Sequence, residues 1–321
     1  MTNNKSKYEK FIKETYVPIF SKPWWLDIAC GEKNWDVWLY EKGNEILAAM
    51  PYYIENREGY KYITKAPLTQ NNGIIFKNIQ GMKSISRQSF EEKVIDLACE
   101  FIKTLKLDVY EQQFHYSFKN WLPFFWNGYT SFTRYTYVIE YMDDINLIWN
   151  NISSKYKNKI RKCQSNTEFN ISNDYNTFYN EHKKVFEKQG IKCPFSLELW
   201  TNLYCACKQN NSCEILYAIN DGKITSLLFL VWDEKSVYQL LGGTIPEHNS
   251  YNTYDALIWE GIKFAHKKRL SYDFEGSVIK RISKSFREFG GLPEAYFRIR
   301  RIFNEDIIKK EAENQIKLIN N

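Results

Sequence analysis

The sequence predicts an α/β (α+β) protein of two domains built to one plan, each a mixed, largely antiparallel sheet flanked by helices. Three observations point there. A chain of 321 residues exceeds one ordinary core and suits two. Two hairpin patterns stand far apart in the chain, and each is followed by an amphipathic helix and a short strand-like run. Hydrophobic residues make up 44% of the chain, enough apolar surface to offset the entropy of ordering it throughout.

The first hairpin is "WDVWLYEKGNEILAAMPYYI", in which Lys42-Gly43-Asn44 reverses the chain between two apolar segments. The segment "SFEEKVIDLACEFIKTLKLDVYEQQ" then places Phe90, Val94, Leu97, Phe101 and Leu105 at three- and four-residue intervals before turning strand-like. A strand from Thr133 to Tyr141 precedes a helix whose start is marked by Asp143 and Asp144, favourable at the positive end of a helix.

The second hairpin, "EILYAINDGKITSLLFLVW", turns at Asp221-Gly222 and gains a third strand in "SVYQLLGG". "NTYDALIWEGIKFAHKKRLSYDFEGS" supplies the matching helix, with Tyr254, Leu257, Ile258, Gly261 and Ala265 on one stripe, and the matching strand. The tail repeats apolar Ile307, Ile308, Ile316 and Ile319 as an amphipathic helix. These readings divide the chain into a first domain at 1–138, a second at 139–303, and a terminal helix at 304–321 packing on the first domain.

Composition narrows the classes of function. No apolar run reaches the roughly 20 residues that span a bilayer, and the start does not resemble a signal peptide, so a cytoplasmic protein is expected. Seven scattered Cys without paired spacings read as reduced, mostly buried thiols. Four His and no HExxH or CxxC pair give no support for a metal site. The net charge of +6 is evenly divided, 18 basic against 15 acidic residues up to position 138 and 26 against 23 after it. Such mild, even positivity favours a phosphorylated ligand over a nucleic-acid tract. The 23 Tyr, 21 Phe and 10 Trp exceed what a core usually needs, which suggests rings lining a cleft.

The segments "PIFSKPWWLD", "EILAAMPYYI", "APLTQNNG", "WLPFFWNGYTSFTRYTYVI", "SSKYKNKIRK", "YDALIWEGIKFA" and "YDFEGS…ISKSFREFGG" together resemble the FemAB-like branch of GNAT acyltransferases. The resemblance runs from about residue 16 to 301 and rests on the number and order of the segments. It implies two tandem GNAT-like domains, the second catalytic, and transfer of an acyl or aminoacyl group onto an amine. Relatives that use aminoacyl-tRNA often carry Phe-Lys, two residues, then Phe-Gly. Here "SFREFGG" puts Phe286 where that Lys would stand, and no long heptad-patterned arm is inserted.

An acyl-CoA co-substrate is therefore expected ahead of aminoacyl-tRNA. The acceptor would be a small-molecule amine or a nucleotide-linked sugar or peptide of the cell envelope. The usual Gln/Arg-x-x-Gly-x-Gly/Ala phosphate turn is not present before the helix at Asn252, where "GGTIPEHNSYNTYD" stands. A peptidoglycan-bridge type aminoacyltransferase and a non-catalytic carbohydrate- or nucleotide-binding protein remain the competing readings.

Acyl transfer to an amine needs a base for the amine proton and a donor for the leaving group. "SYDFE" offers Asp273 and Glu275, two apart in a strand and so on one face, a spacing that raises one pKa toward neutrality. Glu275, beside Gly276, is the expected base and Asp273 its orienting partner, unless both merely pair with Arg281 or Lys284. Tyr254 at a helix start is a candidate proton donor to a leaving thiolate. Arg161 in the basic run "SSKYKNKIRK", with Arg281, Lys284 and Arg287, is assigned to donor anions, against the plainer reading of a solvated face. The resemblance assigns Trp24, Trp25, Gln70 and Asn71, with Arg134 and Tyr135, to the acceptor side of a cleft between domains. The two Trp are equally readable as core.

Overall fold

The structure, a computed structural model, describes the backbone of residues 3–319 and the side chains of residues 4–313. The side chains of Ile316 and Ile319 lie outside the described residues. The first elements are α1 (Asn3–Glu14), α2 (Pro23–Leu26), β1 (Trp35–Lys42), β2 (Glu45–Arg57), β3 (Tyr60–Ile63) and β4 (Ile75–Phe76). Then come α3 (Ser84–Thr104), β5 (Val109–Gln113), α4 (Leu122–Trp126), β6 (Thr130–Ile139), α5 (Ile145–Asn151), α6 (Ser154–Gln164) and β7 (Glu168–Ser172). The chain continues with α7 (Tyr175–Glu187), α8 (Leu197–Gln209), β8 (Cys213–Asn220), β9 (Lys223–Trp232) and β10 (Ser236–Thr244). It closes with α9 (Tyr254–Lys267), β11 (Ser271–Asp273), α10 (Lys280–Glu288), β12 (Leu292–Ile302) and α11 (Glu305–Ile319).

Two compact units result, one holding the chain up to Thr133 together with the stretch from Tyr296 onward, the other Arg134–Ala295. The divisions therefore fall at 133/134 and 295/296, not at 138 and 303. The reason is pairing: the last residues of β12 run antiparallel to β5, from Arg298 opposite Gln113 to Ile302 opposite Val109. Residues 296–302 thus complete the sheet of the first unit.

In the first unit β1 and β2 form the hairpin expected at Gly43, whose φ of 63° suits glycine. β2 pairs antiparallel with β3, and β3 runs parallel to β5 at Tyr62–Val109 and Ile63–Tyr110. Parallel neighbours need a crossover, which α3 provides. α3 buries Val94, Ile95, Ala98, Cys99 and Ile102, whereas Leu97 is 39% exposed. The stripe read from the larger apolar residues is thus rotated, because the side that meets the core carries small Ala98 and Cys99. Ile307 of α11 is buried, Ile308 is exposed, and Glu311 accepts a hydrogen bond of 2.8 Å from Arg300 Nη1.

The second unit repeats the plan. β7, β8, β9 and β10 are antiparallel in order, β10 runs parallel to β11 after the α9 crossover, and β11 pairs antiparallel with the end of β6. Asp144 caps α5 by accepting the Asn146 N–H at 2.8 Å, and Ser153 caps α6. α9 buries Leu257, Ile258, Gly261 and Ala265, with Ala256, Trp259 and Ile262 beside them. All seven cysteines are free, with Cys205 exposed and Cys30, Cys99, Cys207 and Cys213 buried. No described helix is long and apolar enough to cross a membrane.

Candidate active site

β10 and β11 stay together for three residue pairs, Ser236–Ser271 to Tyr238–Asp273. β11 then stops, while β10 continues to Thr244 through a bulge between Gln239 and Leu241. One extra residue on one strand bends it away from its neighbour, so the two strands open into a fork. Gln239 stands where they part. Its Oε1 accepts the Tyr272 hydroxyl at 2.7 Å and its Nε2 donates to the Tyr254 hydroxyl oxygen at 3.1 Å.

Because Tyr254 Oη is an acceptor in this chain, its own proton is left for another group. Burial pushes the Tyr254 and Tyr272 hydroxyls well above the ordinary tyrosine range, so both keep their protons at neutral pH. A Cβ on Gly242 would lie 2.7 Å from the Tyr254 hydroxyl, which is why β10 carries glycine there.

On the other arm Asp273 is 3% exposed, and its Oδ1 accepts both the Thr136 hydroxyl and, at 2.8 Å, the Glu275 N–H. Burial pushes the Asp273 carboxyl up from 3.8 to about 6, against the two hydrogen bonds, with smaller help from the charges of Asp233 and Glu294. The largest cause is thus burial, and not the pairing of carboxylates that the two-apart spacing had suggested. The face argument also fails, because the strand ends at Asp273 and the half-buried Glu275 takes a left-handed φ of 62°. Instead Asp273 holds that turn, side chain to backbone, in the manner of an Asx turn. Gly276 follows at φ 72°, and a Cβ there would come within 2.2 Å of the Tyr135 carbonyl oxygen. Asp273 is thus tied to Thr136 and the Glu275 backbone, not to Arg281 or Lys284.

A donor of the acyl-CoA type needs partners for its phosphates. The first turn of α9 has N–H groups with no side-chain cap, since Thr253 Oγ1 lies 2.8 Å from both the Thr225 and Ser226 hydroxyls. Lys159 of α6 reaches the same turn, with Nζ 2.7 Å from Asp255. The uncapped N–H groups are donors of the kind a phosphate oxygen accepts from, whereas Lys159 is already engaged by Asp255. The approach to α9 is a 3₁₀ turn over Pro246–Tyr251 ending in left-handed Asn252, φ 53°, in place of a glycine-rich loop.

The other cations are distributed differently. The Arg161 guanidinium lies 5.4 Å from the Trp149 ring centre. Arg281, Lys284 and Arg287 are exposed on α10, whose Phe286 is buried.

The residues expected on the acceptor side divide between the units: Trp24, Trp25, Gln70 and Asn71 lie in the first, Arg134 and Tyr135 in the second. Trp25 is fully buried, edge-on to Phe20, with its indole N–H donated to Thr69 Oγ1 at 3.0 Å. It is core, and the expectation that it contacts substrate is corrected; Trp24 is half-buried. Gln70 Oε1 accepts Lys65 Nζ at 2.7 Å. Asn71 lines a narrow cleft of ≈ 250 Å³, counting its open mouth, with Tyr53, Thr64, Gln112 and Gln113 among its walls. Its Oδ1 is buried there without a hydrogen-bond partner. Gln112 and Gln113 are held in place by donating to the carbonyls of Pro51, at 3.1 Å, and Gln70, at 2.6 Å.

Sequence reasoning passed over Thr136, Gln239 and Tyr272. The run "QLLGGT" beside a strand end was a usable signal for Gln239; Thr136 offered none, because its partner Asp273 is 137 positions away.

Residues 150–278 match the family described as an acetyltransferase (GNAT) domain. No curated protein matches the chain. Among solved structures, FemX is similar with a TM-score of 0.68 at 12% identity, covering 96% of this chain and 98% of its own. The L-PGS of Bacillus licheniformis gives 0.55 at 11% identity, covering 94% and 92%. A tandem GNAT protein from the clavulanic acid biosynthesis pathway gives 0.51 at 8%, covering 88% and 96%. These likenesses are of fold, and the family match falls on the unit that contains the fork. Residues 150–278 are a GNAT acetyltransferase domain, and the chain as a whole has the fold seen in FemX and in the tandem GNAT protein.

Proposed function

We propose that the protein is an N-acyltransferase that moves an acyl group from an acyl-CoA-type donor to the amine of an amino sugar, amino acid or cell-envelope precursor, in the cytoplasm. The observation that carries this reading is the fork itself: a protonated Tyr254 fixed by Gln239 on one arm, and a left-handed Glu275 fixed by Asp273 on the other.

The first-turn N–H groups of α9 are the groups suited to hold the donor's phosphates. The bound donor would supply an acyl group already activated as a thioester. Glu275 takes a proton from the amine as its nitrogen bonds to the acyl carbon. Tyr254 gives its proton to the departing sulfur, so the proton count closes. Asp273 is a positioning residue, acting through the turn it holds. Around Asn71 in the first unit, hydroxyl and amide groups support an acceptor with a neutral hydrogen-bonding portion, such as a sugar or peptide.

The test is to incubate the purified chain with a panel of acyl-CoA thioesters and candidate amines and to follow products by mass. Amine-dependent release of the CoA thiol is expected, with kcat lowered about 10²- to 10⁴-fold in Glu275→Gln and KM for the donor largely kept. Turnover that requires charged tRNA and is abolished by ribonuclease would overturn the acyl-CoA reading in favour of aminoacyl transfer.

A further inference from the structure

We infer that α10 and the two residues before it dock the protein on the surface of an anionic lipid bilayer. Lys280, Lys284 and Arg287 recur at four- and three-residue steps and so share one stripe of α10, with Arg281 at its side. The opposite stripe, Ile282, Phe286 and Phe289, packs into the core of the second unit. The helix is therefore anchored by its apolar side and presents four cations outward in eight positions.

These cations differ from those of α6, the other basic helix. There Lys159 pairs with Asp255, Lys157 donates to the Asn150 carbonyl at 3.1 Å, and Arg161 lies over Trp149. Among the described residues no carboxylate pairs with Lys280, Arg281, Lys284 or Arg287. The one carboxylate of α10 itself, Glu288, is half-buried at its last position.

A bare basic face alone suits any polyanion. What selects lipid is the pair that precedes it: Val278 is 73% and Ile279 55% exposed, directly beside Lys280. Single exposed aliphatic residues are ordinary, but two adjacent β-branched ones abutting four unpaired cations match a surface with anionic headgroups above acyl chains. Single-stranded RNA would instead call for aromatic rings on which bases stack, and the 277–288 segment presents none outward: its one ring, Phe286, is buried. Such docking would hold the enzyme at the bilayer surface. The inference does not depend on the identity of donor or acceptor.

The test is cosedimentation of the full chain with vesicles of phosphatidylcholine alone and of an equal mixture with phosphatidylglycerol. Binding is expected only to the mixture and is expected to weaken with added salt. Each cation near an anionic surface is worth about fivefold in partition, so Lys284→Gln/Arg287→Gln should lose about 25-fold. Val278→Ser/Ile279→Ser, which leaves every charge in place, should lose at least about tenfold. All four positions are exposed, and unchanged thermal unfolding of both variants would exclude misfolding as the cause. Equal sedimentation with both kinds of vesicle, or unaltered partition in both variants, would overturn the inference. So would binding of RNA but not anionic vesicles, lost in Lys284→Gln/Arg287→Gln, which would make the face a nucleic-acid contact.

Discussion

Asp273→Asn removes a buried charge while keeping a side-chain oxygen that can still accept from Thr136 and the Glu275 N–H. Burial raises the folded-state pKa of Asp273 from 3.8 to about 6, so the folded state holds this proton more tightly than the unfolded chain does. The contribution to stability is then fully present below about pH 4 and is lost as pH rises to about 6, flattening above that. The difference between 3.8 and 6, at 1.36 kcal/mol per pH unit, amounts to about 3 kcal/mol.

The wild-type curve alone would hide this. His182 is buried with Nδ1 unpartnered, and burial lowers its pKa from 6.5 to about 4. Its contribution is present above pH 6.5 and is lost as pH falls toward 4, the opposite sign in nearly the same window. Subtracting wild type from Asp273→Asn cancels His182. Denaturant unfolding at a series of pH values should show the variant gaining about 3 kcal/mol on wild type between about pH 3 and 7. A difference that stays constant over that range would refute the account of Asp273 as a buried, titrating carboxyl.

Three further outcomes follow from the same geometry. Gly276→Ala forces a methyl group against the Tyr135 carbonyl at a left-handed φ and should cost about 2–4 kcal/mol, read as a lowered Tm. Tyr254→Phe should lower kcat about 10- to 100-fold without matching loss of donor affinity, and the loss should be smaller with a donor whose leaving group is more acidic. Trp25→Ala should cost about 3–5 kcal/mol of stability as a core deletion, while Trp24→Ala should unfold near the wild-type temperature. Both Trp comparisons are made by thermal melts.

The repeated plan was legible because its signals are local. Gly43 and Gly222 mark hairpins, and the periodic stripes of α3 and α9 mark the crossovers that make β3–β5 and β10–β11 parallel. What was not legible depends on partners distant in the chain. Nothing near Arg298–Ile302 says that they pair with Val109–Gln113, so that pairing could not be read from the sequence. The "YDFEG" stretch gave the carboxylates, but alternation assumes a strand continuing through Glu275. The buried bond from Asp273 to the Glu275 N–H holds a left-handed turn there, a conformation glutamate seldom adopts. Trp24 and Trp25 are identical letters, and only the buried Thr69 acceptor distinguishes the core ring from its half-buried neighbour.

The central claim is that the fork of β10 and β11 is where the acyl group changes hands, and it is tested most directly by a crystal structure with a thioether analogue of an acyl-CoA. The account predicts the analogue's sulfur within about 3–4 Å of the Tyr254 hydroxyl, with its acyl carbon facing Glu275. An analogue seated away from β10, with its sulfur distant from the Tyr254 hydroxyl and its acyl carbon distant from Glu275, would contradict it.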